Sequence, residues 1–145
     1  MSGDAPVIEV SGLRNQFGSH VVHEDLDLAV NAGEILGVVG GSGTGKSVLL
    51  RTIAGLQRPA AGHIRVFGTD MQTAGERERA AVEARWGLMF QDGALFSSLT
   101  VRENVEVPLK SVKGLSAETR RALADLKISM VGLPWIAGDK FPSEL

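Results

Sequence analysis

Residues 35–56 read ILGVVGGSGTGKSVLLRTIAGL, and the way this stretch folds decides the architecture of the chain. Residues 35–39 are a continuous apolar run ending in glycines, the pattern of a strand buried on both faces. From Lys46 the spacing changes. Val48, Leu49, Thr52, Ile53 and Leu56 fall on one helical face, and Gly55 with Pro59 beyond it fits a helix stop. Between the two lie Gly40, Gly41, Ser42, Gly43, Thr44, Gly45, Lys46 and Ser47, a full match to G-x-x-x-x-G-K-[ST]. Glycines let the backbone curl so that successive N–H groups converge on phosphate oxygens, and the helix that follows adds its positive end. Lys46 then reaches the β- and γ-phosphates, and the Ser47 hydroxyl takes one position around Mg²⁺. A glycine-rich turn alone would be commonplace. Set between a strand and an apolar-faced helix, it predicts a nucleotide phosphate site.

Upstream, residues 7–10 and 21–28 predict strands, with turn chemistry at residues 15–19 and 31–33. Leu26, Leu28 and Val30 alternate as in a half-buried strand. Downstream, residues 63–67 predict a short strand, residues 75–85 a charged, solvated helix, and residues 87–90 another strand. The texture then changes. Thr100 and Glu103 form a capping box, and residues 116–131 an amphipathic helix that carries Arg120 and Arg121. The boundary falls near Gln91: residues 1–90 are expected to form a nucleotide-binding core with an antiparallel β part, and residues 91–145 a helical part.

Composition narrows the function. The chain has 145 residues, 43% hydrophobic and 22% charged, as in ordinary globular proteins. A net charge of −2 argues against nucleic acid as a partner. Without cysteine there is neither a disulfide nor a thiolate metal site. The N-terminus lacks a basic start and a long apolar stretch, so it is not a secretory signal. No apolar run approaches the ~20 residues that span a bilayer.

A P-loop NTPase also needs a carboxylate closing a later apolar strand to complete its Mg²⁺ site. The nearest approach is Ala122, Leu123, Ala124 and Asp125, within a helical pattern. The metal site reads as half built.

The order strand, P-loop, helix, then FQ, then ENV, then PSEL at the end of the chain resembles the ATP-binding subunit of ABC transporters. The resemblance covers nearly the whole chain. It implies an α/β fold: a P-loop NTPase core of the RecA-like ABC kind, an N-terminal antiparallel β part and the start of an α-helical subdomain. It implies ATP and Mg²⁺ as cofactors, with Phe17 stacking on adenine. It also implies that Gln91 touches Mg²⁺ or its water and links the nucleotide to an integral membrane permease. The stretch that begins at Gly93 and ends at Glu106 should lie near the groove receiving that permease. The second partner is another ATP-binding subunit in a homodimer, and the location the cytoplasmic face of the inner membrane.

Within the family, GALFSSLTVRENV resembles the subunits of Mla-type phospholipid transporters, with an importer ATPase for amino acids or another small polar solute as the alternative. A small-molecule kinase has no reason to carry these segments. In ABC ATPases PSEL leads into a signature Ser-Gly-Gly, and the carboxylate strand and switch histidine come later. The resemblance therefore implies an N-terminal piece of the nucleotide-binding domain that binds ATP without turnover. His20, His23 and His63 have no ligand spacing, and Trp86, Trp135, Met71, Met89 and Met130 read as core or boundary packing residues.

Overall fold

The computed structural model describes residues 5–90 and 93–145, which fall into two compact units divided between Leu88 and Met89. In the first, strands β1 (Ile8–Phe17) and β2 (His20–Val30) make a long hairpin closed by Gly18 and Ser19. Gly18 has φ +58°, a conformation that suits glycine at a tight turn. β1 also pairs with β3 (Ala61–Val66), which pairs with β4 (Thr69–Asp70), giving the antiparallel order β2-β1-β3-β4. β1 runs past the expected residue 10 to Phe17, so Asn15 lies inside the sheet and not in a turn.

The register places Val10 opposite both Leu28 and Ile64. Val10, Leu13, Ile64 and Val66 are buried, and α1 (Lys46–Ile53) brings Leu49 and Ile53 onto them. Met71, just after β4, and Val82 of α2 (Glu76–Glu83) complete this core, with Trp86 at its edge. Each large aliphatic side chain so buried contributes about 1.5–3 kcal/mol. The pairing of β1 shifts register near Gly12, a bulge at which β3 comes so close that a Cβ on Gly62 would collide with the Gly12 backbone.

Two expected strands are absent. Residues 35–39 belong to no helix or strand, with Ile35 99% and Val39 92% exposed, and residues 87–90 are irregular, with Met89 98% exposed. An apolar run becomes a buried strand only when neighbours accept its backbone hydrogen bonds, and parallel neighbours arrive through crossover connections. Among the described residues every strand pair is antiparallel, and none includes these segments. Leu56 also departs from expectation: α1 stops at Ile53, Gly55 follows at φ +75°, and Leu56 is exposed beyond them.

The second unit is helical. Thr100 caps α3 (Val101–Glu106): its hydroxyl accepts from the Glu103 N–H at 3.2 Å, and the Glu103 carboxylate accepts from the Thr100 N–H at 2.7 Å. Ser116 caps α4 (Ala117–Met130) by accepting from the Thr119 N–H at 3.0 Å, and Gly132 at φ +81° follows its end. Single 3₁₀ turns cover Pro108–Ser111, Trp135–Asp139 and Pro142–Glu144. Val101, Ala124, Ile128 and Ala137 are buried. Met130 and Trp135, expected to pack, are exposed: Met130 is the last residue of α4 and Trp135 opens a turn, positions at which no described element covers them. Among the described residues no helix is long and apolar enough to cross a membrane.

Candidate phosphate-binding loop and its surroundings

Gly45 is the N-cap of α1 at φ +89°, and Gly43 stands at φ +80°. Both conformations are strained for residues with a Cβ, which is why the loop is written in glycine. A Cβ on Gly40 would come within 2.9 Å of the Thr44 hydroxyl, and one on Gly45 within 2.6 Å of Val22. Thr44 Oγ1 donates to the Gly41 carbonyl at 2.9 Å, closing the loop on itself. Lys46 reaches back over it, its Nζ donating to the carbonyls of Gly40 at 2.8 Å and Gly41 at 2.5 Å. Gly41, Ser42, Gly43, Thr44 and Ser47 are exposed, so the loop, one ammonium and one hydroxyl are presented to solvent at a helix N-terminus. That donor set fits a nucleotide phosphate with Mg²⁺: the backbone N–H groups at a helix N-terminus, one ammonium and a hard hydroxyl oxygen. Leu49, Thr52 and Ile53 anchor α1 to the core and so hold the loop in place.

Phe17 ends β1 opposite His20 and is half exposed. Gln91 lies outside the described residues. In the second unit, the segment that precedes α3 is organised by a side chain that the sequence did not single out. Buried Asn104 accepts from the Phe96 N–H at 2.8 Å and donates to the carbonyls of Phe96, Leu99 and Thr100 at 3.0–3.1 Å. Its neighbour Arg102 is also buried, donating to Asp125 at 2.6 Å and to Asp139. The hydrogen bonds that the guanidinium donates to Asp125 and Asp139 raise the Arg102 pKa. Gly138 lies beside it: a Cβ there would come 2.7 Å from the guanidinium, so any larger residue makes Arg102 shift. Asp125, the nearest sequence match to a metal-binding carboxylate, is thus an ion-pair partner on α4.

Comparison with known proteins agrees with this geometry. The ABC transporter family model matches residues 23–141. The probable ribonucleotide transport ATP-binding protein mkl of Mycobacterium tuberculosis is 41% identical over 141 residues, 95% of this chain and 38% of that protein. The methionine import ATP-binding protein MetN of Rhizobium johnstonii is 38% identical over 127 residues, 88% of this chain and 35% of its own length. The chain therefore spans little more than a third of the curated relatives it matches. Among solved structures, a dimeric ATP-binding cassette in a post-hydrolysis state bound to ADP and Pi superposes with a TM-score of 0.82. It is 26% identical, and the match covers 95% of this chain and 62% of that one. The glycine loop at the head of α1 and the family match over residues 23–141 lead to one conclusion: the chain belongs to the ABC transporter family, within its ATP-binding domain.

Proposed function

We propose that the chain binds the phosphates of ATP with Mg²⁺ at residues 40–47, as part of the ATP-binding subunit of a phospholipid transporter. The observation that carries the phosphate site is the glycine loop at the head of α1 with Lys46 folded over it. Lys46 exchanges loop carbonyls for phosphate oxygens, Ser47 offers its hydroxyl to Mg²⁺, and Phe17 stacks on the base. Bound Mg²⁺ neutralises phosphate charge. Gln91 completes the metal shell and signals to a membrane permease, whose docking region includes residues 93–106. A second ATP-binding subunit pairs with this one at the cytoplasmic face of the inner membrane. The 145 residues hold Lys46 and Ser47 but no strand-closing carboxylate, so on their own they bind ATP without turnover.

The phospholipid reading rests on GALFSSLTVRENV, residues 93–105. Import of amino acids or another small polar solute is the second reading, favoured by the similarity to MetN. Titration with a fluorescent ATP analogue tests the site. Lys46→Ala removes one charge-assisted contact, worth roughly 1.5–3 kcal/mol, and weakens binding about ten- to hundredfold. Equal affinity in variant and parent contradicts the assignment. For the substrate, the transporter assembled in phospholipid nanodiscs should show ATPase stimulation by lipid; stimulation by methionine alone favours the second reading.

A further inference from the structure

A polar chain runs from the sheet to the phosphate loop and has no place in the proposal above. Asn15 is fully buried in β1. Its Oδ1 accepts from Thr52 Oγ1 of α1 at 3.2 Å, and its Nδ2 lies 3.2 Å from His23 Nδ1 in β2. Asn15 thus holds the Nδ1 edge of the ring, and the Nε2 edge points the other way. That edge faces the loop beside Val22: a Cβ on Gly45 would lie 2.6 Å from Val22 Cγ1, 2.7 Å from His23 Nε2 and 2.9 Å from Cε1. Among the described residues Nε2 has no hydrogen-bond partner. Thr52 lies nearly two turns along α1 from Gly45, so this chain ties the helix to the hairpin at both of its ends.

We propose that His23 is a positioning residue for nucleoside phosphate binding: its ring, held by Asn15, walls Gly45 and fixes the corner where the loop turns into α1. Gly45 has no side chain to restrict it and sits at φ +89°, so its conformation depends on what packs against it. With the corner fixed, the N–H groups that follow Gly45 converge; without the ring, they are free to splay. Aligned donors are worth far more to an anion than the same donors disordered. The inference rests on residues 40–47 being a phosphate site, and the test separates the two.

Mg-ATP affinity is measured for the parent, His23→Ala, His23→Gln and Lys46→Ala, and the ¹⁵N resonances of the His23 ring are followed in the parent. His23→Ala is expected to weaken ATP about three- to tenfold, the scale of one neutral contact. His23→Gln, which restores bulk and an N–H donor, is expected within about twofold of the parent. The ring nitrogen resonances of His23 in the parent should shift when Mg-ATP is added. Parent-like affinity in His23→Ala with weakened Lys46→Ala overturns the role of His23 alone. A ring unmoved by ATP overturns it even if the variants misfold. Parent-like affinity in Lys46→Ala overturns the phosphate site and this inference with it.

Discussion

At the scale of single residues, this chain depends on glycines at contacts and on polar groups whose partners are far away in sequence. Gly62 is one case: at φ +92° and against the Gly12 backbone, it leaves no room for a methyl group. Gly62→Ala should cost about 2–4 kcal/mol, read as a fall in the thermal unfolding midpoint. Asp70 is another. Burial disfavours its charge, but the N–H groups of Gln72 and Thr73 and the His63 ring outweigh this and hold its carboxyl below the usual range. A carboxyl with a depressed folded pKa lends stability above its unfolded value, near 3.8, and loses it as pH falls through the folded value. The unfolding midpoint of Asp70→Asn should therefore lie below that of the parent at pH 7, with the gap closing in acid. A constant gap would show that the charge is not the cause. Neither contact has a signature in sequence. His63 and Asp70 meet because β3 and β4 pair, and Gly62 meets Gly12 because β1 bulges there.

At the scale of elements, local chemistry was legible and cross-element chemistry was not. The capping box of Thr100 and Glu103 is spelled by residues three apart and stands where the sequence places it, and the helix expected from residue 116 begins there, capped by Ser116. Thr100→Ala removes one half of the capping box and should cost about 0.5–2 kcal/mol, visible in helical circular dichroism on heating. Arg102 lies between Asp125 and Asp139, 23 and 37 residues away, so no period or motif announces it. Both aspartates are partly exposed, which softens the cost of losing their partner. Arg102→Ala should still destabilise the second unit by about 2–3 kcal/mol, since the guanidinium itself is buried and fills the space over Gly138. An unfolding midpoint unchanged in Arg102→Ala would reduce the ion pairs to surface decoration. Residues 35–39 mark the opposite limit. Their composition reads as a core strand, but composition carries no information on which strands stand beside it.

At the scale of the whole chain, both the loop and the family were legible, because a P-loop is a contiguous motif whose geometry follows from its glycines and lysine. The burial of the apolar segments around it was not. Ile35, Val39 and Met89, almost fully exposed, give the chain apolar surface that water does not tolerate well. The 145-residue chain should therefore self-associate at micromolar concentration in sedimentation velocity, and Ile35→Lys with Val39→Lys should raise the monomer fraction. A parent that stays monomeric would mean that these residues are covered in solution.

The central claim is that residues 40–47 seat the phosphates of a nucleotide. Its most direct test follows backbone amide resonances while Mg-ATP, and separately adenosine, is added to the chain. The account predicts that Mg-ATP moves the amides of Gly41, Ser42, Gly43, Thr44, Gly45, Lys46 and Ser47 most, and that adenosine leaves them in place. Mg-ATP shifts that spare this loop, or equal shifts from adenosine, would contradict it.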